Sequence, residues 1–213
     1  SIFSSLESIE VFCAISLKMK KVYFFDFDGT LTYKDTMFLF LKYYHPAVYW
    51  RQFIWHIPLF VLLKLKLIDA EKVKQKLAYS ILKGEQKEAL TTKATHFFEK
   101  YYPNLIRPKA LKFIEEINKE GARAYLVTAS LDIWTKPFAD KFGFGLIATK
   151  TKFVEGKIVK EFDSKNCNGQ EKVNRILSEI GENDTYTTVA FGDTNGDREM
   201  LSWASEGYFR YFN

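Results

Sequence analysis

The stretch Phe24-Phe25-Asp26-Phe27-Asp28-Gly29-Thr30-Leu31-Thr32 constrains this chain more than any other, because an apolar run ends abruptly in two carboxylates, a glycine and a hydroxyl. Val22 to Phe25 read as a strand buried on both faces, and such strands belong to parallel sheets covered by helices. In an open α/β sheet the crevice beyond the carboxyl ends of the strands is where ligands bind. Residues two apart on a strand share a face, so Asp26 and Asp28 are expected to point into that crevice together. Two carboxylates this close repel unless a cation lies between them, and a hard divalent ion such as Mg²⁺ takes oxygen ligands of this kind. A carboxylate held beside Mg²⁺ can attack phosphorus, while a neighbouring Asp protonates the leaving oxygen and later deprotonates water. The competing reading is a turn in which Asp28-Gly29-Thr30 only caps a helix.

Two further apolar strands end in polar groups. Pro108 and Gly121 bracket an amphipathic helix with Leu111, Ile114 and Ile117 inward, and Ala122 to Val127 then form a strand that stops at Thr128-Ala129-Ser130. A helix over Asp132 to Phe142, a short strand Leu146 to Ala148, a hairpin turning at Glu155-Gly156 and a helix over Gln170 to Ile180 follow. The strand Thr187 to Phe191 ends in Gly192-Asp193-Thr194-Asn195-Gly196-Asp197. This alternation predicts an α/β fold, a Rossmann-like parallel sheet core with helices on both faces. It brings Asp26 and Asp28, Thr128, and Asp193 and Asp197 to neighbouring strand ends, as a metal-assisted phosphoryl-transfer site requires. Asp26, Asp28, Asp193 and Asp197 are the candidate metal residues. Hydroxyl and backbone N–H groups at Thr30, Thr128 and Ala129 are placed to hold phosphate oxygens. A lysine should offset the charge that gathers at Asp26, and Lys172 at a helix start is the candidate, with Lys150, Lys152 and Lys165 in competition.

Between the first two strands, residues 33–107 read as an all-helical insertion, with no strand pattern in it. Its first half is aromatic and apolar, and from Phe53 to Ile68 it raises the question of a membrane span. A spanning helix needs about twenty apolar residues. The uninterrupted run here is Ile57 to Leu63, it contains Pro58, and His56, Lys64 and Lys66 close it. Two readings remain: helices buried in a small cap, or an interfacial surface with aromatics and lysines at lipid depth. Burial is the expected fate, since large exposed apolar patches are uncommon. Asp69 is the expected N-cap of the next helix, Gly84 its stop, and Gln86 to Tyr101 a further helix ended by Pro103.

The 213 residues, nearly half of them apolar, suffice for one core domain with a modest insertion, here residues 19–32 and 108–213 around the cap. The net charge of +5 is dispersed without a Lys/Arg block, which argues against nucleic acid as a partner. Cys13 and Cys167 make no disulfide framework or zinc spacing, so a reducing cytoplasm is expected. Residues 1–18 lack the basic start and cleavage site of a signal peptide and read as a peripheral extension before Met19-Lys20-Lys21, with an amphipathic helix as the competing reading.

The Asp-X-Asp-Gly-Thr stretch after an apolar strand resembles the first motif of the haloacid dehalogenase superfamily, whose phosphatases and phosphomutases carry the second Asp. Thr128, Lys172 within Asn166-Cys167-Asn168-Gly169-Gln170-Glu171-Lys172, and Asp193 with Asp197 are similar to its later motifs, in superfamily order. The helical insert and the Lys172 loop look like subfamily IB, which includes phosphoserine phosphatase. The resemblance implies Asp26 as nucleophile, Asp28 as general acid/base and, through its carbonyl, a Mg²⁺ ligand, Asp193 completing the metal site with Asp197 in support, and Thr128 and Lys172 on the phosphoryl group. It implies a small phosphorylated substrate, with Asp35 and the cap's Arg51 as specificity residues; Gly196 departs from the asparagine that phosphoserine phosphatase has near the phosphate. The apolar cap is also similar to the C-type phosphatidylglycerophosphate phosphatase, which implies a lipid head-group phosphatase at an anionic phospholipid surface as the alternative. A phosphate-binding module without catalysis is the third reading.

Overall fold

The computed structural model describes residues 20–65, 67, 68, 70–181 and 186–213. The extension over residues 1–18 and the N-cap at Asp69 therefore lie outside the described residues. Five parallel strands, β1 (Lys20–Phe25), β2 (Arg123–Leu131), β3 (Gly145–Thr149), β6 (Tyr186–Gly192) and β7 (Glu206–Phe209), form one sheet in the order β3-β2-β1-β6-β7. A separate antiparallel hairpin is made of β4 (Thr151–Val154) and β5 (Lys157–Phe162). β1 lies at the centre because its side chains are apolar on both sides. Val22 and Phe24 pack with Val173 and Ile176 of α7 (Gln170–Ile180) and Met200 of α8 (Arg198–Trp203). Tyr23 and Phe25 join the opposite cluster, with Ile114 of α5 (Pro108–Lys119) and Phe138 of α6 (Asp132–Phe142). The Rossmann-like parallel sheet with helices on both faces is thus the observed fold.

The edge strand β7 was not legible in the sequence, since Glu206-Gly207-Tyr208-Phe209 is short and largely exposed. Gly207 reveals its packing: a Cβ there would lie 2.2 Å from the backbone oxygen of Leu201, so only glycine lets α8 approach the strand.

Residues between β1 and α5 form four helices, α1 (Thr36–Tyr44), α2 (Pro46–Lys64), α3 (Ala70–Leu82) and α4 (Lys87–Tyr101). The Asp35 side chain accepts from the Met37 and Phe38 N–H groups and so caps α1. Helices α1 and α4 share the sheet's own core: Phe40 stacks on Trp134 at 5.1 Å between centroids, and Phe98 meets Phe138 edge-on at 5.0 Å. The hairpin turns at Glu155-Gly156 as expected, but it belongs with the insert rather than with the sheet that flanks it in sequence. The Lys87 N–H donates to the Gly156 carbonyl at 2.8 Å, and the Ile158 N–H to the Glu85 carbonyl at 3.0 Å.

Helix α2 departs from the expectation of burial. It runs through Pro58 and packs one side against α1 and α3, burying Tyr49 and His56 and partly burying Phe53 and Phe60. Its other side is open among the described residues, where Trp55 is 77% and Ile54 62% exposed. One helix can bury only the stripe that faces its neighbours, and α2 carries apolar residues on every side. No helix among the described residues is long and apolar enough to cross a membrane.

The ring of Phe25 stacks on Phe191 at 4.9 Å and on Phe144 at 5.3 Å, at the centre of the larger core. Phe25→Ala is expected to lower stability by about 3–5 kcal/mol, seen as a fall in the urea midpoint with an unchanged slope. A midpoint within error of the parent would show that the core does not hinge on this ring.

Candidate active site

The site is built where β1, β2 and β6 end. Asp26 continues β1, its N–H donating to the Phe191 carbonyl at 2.9 Å, and its carboxylate is buried. Lys172, in the first turn of α7, reaches the same point and is 1% exposed. Its Nζ donates to Asp26 Oδ1 at 2.7 Å, to Asp197 Oδ1 at 2.7 Å and to the Val127 carbonyl at 2.9 Å. All three ammonium protons are therefore used, as a buried cation requires. Burial would lower the Lys172 ammonium, but Asp26 and Asp197 outweigh it and raise the group above its ordinary value.

The two carboxylates on Lys172 differ in their surroundings. Asp197 Oδ2 accepts from the N–H of Asp193 at 3.2 Å, and from the N–H and hydroxyl of Thr194 at 2.9 Å each. Burial works against its charge, yet Lys172 and these donors hold the Asp197 carboxyl below the usual carboxylate range. Asp26 has fewer donors, and burial pushes its carboxyl up to about 7 against the pull of Lys172, with the charge of Asp197 adding to the rise. Asp197 is the firmly ionised partner of the lysine.

Asp28 points toward the insert. Its Oδ1 accepts from the Thr36 N–H, in the first turn of α1, at 2.6 Å, and its Oδ2 accepts from the Ser130 hydroxyl at 2.5 Å. Burial and the charge of Asp35 push the Asp28 carboxyl up to about 6, while the Ser130 and Thr36 donors oppose the rise. The α1 terminus that receives Asp28 is also tied to α6, the Trp134 indole N–H donating to the Thr36 hydroxyl at 3.3 Å.

Oxygen atoms of Asp26, Asp193 and Asp197 lie within 4.8 Å of one another. The Thr30 hydroxyl stands 2.9 Å from Asp26 Oδ2 and 3.1 Å from Asp193 Oδ1, and its single proton cannot satisfy both. Burial also raises Asp193. Crowded, under-donated carboxylate oxygens of this kind fit a hard divalent cation such as Mg²⁺. Asp26 and Asp193 have the free oxygens for it; Asp197 is taken up by Lys172 and Thr194, and the Asp28 carboxylate by Thr36 and Ser130. Gly29 makes the approach of Asp193 feasible. It has φ +87°, and a Cβ on it would fall 2.4 Å from Asp193 Oδ2.

Asp26, Asp28, Gly29, Lys172 and Asp197 open into a cleft of about 550 Å³. Thr128 and Ala129 line it, and the Thr128 hydroxyl accepts from the Ser130 N–H at 3.1 Å. Asp35 also lines it, where its Oδ2 accepts from Lys74 Nζ at 2.6 Å. Arg51 does not reach the cleft; it is exposed on α2, because the side of α2 that carries it faces away from α1 and α3. Lys150, Lys152 and Lys165 likewise stand outside the lining, which leaves Lys172. The sequence reading did not single out Ser130, Lys74, Trp134 or Arg107, whose Nη2 donates to the Gly29 carbonyl at 3.1 Å. Only Ser130 carried a signal, as the third polar residue at the end of β2. Gly196 has a structural reason: a Cβ there would lie 2.0 Å from Asn168 Oδ1, so the Asn168 amide fills that space.

Residues 23–202 match the family model of the haloacid dehalogenase-like hydrolases. The chain belongs to that family of enzymes. It is 35% identical over 190 residues to protein CicA of Caulobacter vibrioides, a match covering 88% of this chain and 85% of that protein. Its fold is similar to a protein of unknown function from Bordetella pertussis Tohama I, with a TM-score of 0.76 at 19% identity over 88% of each chain. A substrate-bound phosphoserine phosphatase complex is also similar, with a TM-score of 0.60 at 21% identity over 90% of this chain and 85% of the other.

Because Asp26 and Asp28 are raised, the folded chain holds protons that the unfolded chain has released between about pH 4 and pH 7. Their contribution to metal-free stability therefore falls as pH rises through that window. Addition of Mg²⁺ is expected to raise the melting temperature by several degrees at pH 7.5 and by much less at pH 5. Equal shifts at both pH values, measured by differential scanning fluorimetry, would remove these carboxylates from cation binding.

Proposed function

We propose that this hydrolase is a Mg²⁺-dependent phosphatase that cleaves phosphomonoesters of a small phosphorylated metabolite through an aspartyl-phosphate on Asp26. The observation that carries this reading is the pair of adjacent carboxylates in unlike settings: Asp26 bound to a buried lysine within the acidic group, Asp28 turned toward the cleft on the Thr36 and Ser130 donors with its carboxyl pushed up to about 6. One carboxylate is placed to attack and the other to exchange a proton.

In the first half-reaction a carboxylate oxygen of Asp26 forms a bond to phosphorus as the ester P–O bond breaks, and Asp28 donates its proton to the departing alkoxide. In the second, Asp28 takes a proton from water, the oxygen of that water bonds to phosphorus, and the bond from phosphorus to Asp26 breaks to release inorganic phosphate. Lys172 keeps Asp26 oriented and offsets the charge that gathers on the phosphoryl oxygens, which the Thr128 hydroxyl and the Ala129 and Thr30 groups hold. Mg²⁺, held by Asp26 and Asp193 with the main chain of Asp28, would screen the incoming phosphate from the carboxylates and polarise its oxygens. Asp197 serves by fixing Lys172 and the loop that carries Asp193.

The insert, residues 33–107, acts as a cap over this site and supplies Tyr33, Met37 and Lys74 to the cleft wall. Lys34, Asp35, Lys74 and Gln75 are the charged and amide groups it offers to the rest of the substrate. Phosphoserine phosphatase, whose fold this is, supports the phosphomonoester class. A second reading, a phosphatase of lipid head groups, is favoured by the open apolar side of α2. A silent phosphate-binding module would have no use for a carboxyl tuned like Asp28.

Asp26→Asn should fold normally and lose turnover of para-nitrophenyl phosphate, because an amide cannot form the acyl-phosphate. Asp28→Asn should slow turnover by about 10²–10⁴-fold. Persistent hydrolysis by metal-replete Asp26→Asn protein would eliminate Asp26 as the nucleophile, and an unchanged rate in Asp28→Asn would leave that residue a structural role.

A further inference from the structure

We propose that the outward side of α2 docks the protein on the surface of an anionic phospholipid bilayer, the helix lying along the interface rather than crossing it. The proposal names where the phosphatase works, and rests on the phosphatase reading only for that consequence. Its first support is the composition of the exposed side. Helical spacing sends Tyr49, Phe53, His56 and Phe60 toward α1 and α3, which leaves Trp50, Ile54, Trp55, Ile57, Val61 and Leu62 outward, each exposed among the described residues. A helix on a water-facing surface carries charged residues at such positions. Leu65 and Leu67, just beyond the helix, continue the patch at 62% and 68% exposure. A contiguous apolar surface of this extent marks an interaction site.

The second support is charge, and it selects the partner. From Thr36 to Ile68 the chain contains no Asp or Glu, while it carries Lys42, Arg51, Lys64 and Lys66. That stretch supplies four of the chain's net charge of +5. Lys42, Arg51 and Lys64 are exposed, and Lys42 Nζ lies 5.0 Å from the centre of the Trp50 ring. Indole rings beside lysines suit the boundary between head groups and acyl chains, where the ring enters and the ammonium stays with the phosphates. A second copy of the chain fits poorly. In a two-fold dimer the patch meets itself, so Arg51 and Lys64 would face like charges with no carboxylate in the stretch to relieve them. An anionic bilayer offers an apolar phase and the opposite charge together.

The test is flotation of the full chain with vesicles of phosphatidylcholine containing 30% phosphatidylglycerol, beside vesicles of phosphatidylcholine alone. The expected result is binding to the anionic vesicles, weakened at 0.5 M NaCl, with a blue shift of tryptophan emission. Ile54→Ser/Trp55→Ser is expected to reduce binding by at least about tenfold, since burial of one such side chain is worth about that factor. Its turnover of para-nitrophenyl phosphate should match the parent, because neither residue lines the cleft. Lys64→Glu should lose the preference for anionic vesicles. The Asp26→Asn protein should bind as the parent does, which separates docking from catalysis; vesicle binding by a parent chain that shows no turnover overturns the phosphatase reading alone. Absence of binding, equal binding to both vesicle types irrespective of salt, or a dimer that the double substitution dissociates in a protein that ignores vesicles would each overturn the docking surface.

Discussion

The site depends on one buried cation. Lys172 is shut off from water and gives its three protons to Asp26, Asp197 and the Val127 carbonyl. Removing it would leave two buried carboxylates facing each other with no counter-charge, a far larger penalty than a lost surface pair. Its position also couples three separate parts of the chain: the end of β1, the middle of β2 and the loop after β6 converge because each has something to offer an ammonium group. The apolar strands explain why such a polar knot can be held. Phe24 and Phe25 fix β1 between two helical layers, and the carboxylates begin where that packing stops.

The insert is not a loose appendage to this arrangement. Its first helix shares the aromatic core of α6 through Phe40 and Trp134, and its N-terminal Thr36 N–H binds the Asp28 carboxylate. A helix N-terminus is a favourable place for a carboxylate, so the proposed acid/base is oriented by the element that also walls the cleft. The insert thereby divides into an inner pair, α1 and α4, rooted in the sheet's core, and an outer helix, α2, whose far side is exposed among the described residues. The hairpin β4–β5 stitches to the α3–α4 connection by backbone hydrogen bonds and adds Phe162 to the cleft wall.

Much of this was legible in the sequence because it rests on local rules. Apolar strands ending in Asp26-X-Asp28, Thr128 and Asp193 fixed the fold class and the place of the site, since a strand buried on both faces must stop where its side chains turn polar. The helices Asp132–Phe142 and Gln170–Ile180 followed from period and punctuation. Strand β7 did not, because four exposed residues carry no pattern of their own and gain their place only from β6 and α8. Other features were matters of tertiary contact. A helix start made Lys172 the candidate over Lys150, Lys152 and Lys165, but only burial against two carboxylates gives it its setting. Composition showed that residues 53–68 are apolar, whereas the exposure of Ile54, Trp55, Ile57, Val61 and Leu62 followed from how few of the described residues pack on α2. Arg51 fell on the outside of that helix for the same reason. The sequence by itself determined which groups stand at the strand ends, because strand period and apolar runs are local. Tertiary structure decided which of them meet, which are ionised and which side of the insert faces outward, because burial and charge pairing depend on residues far apart in the chain.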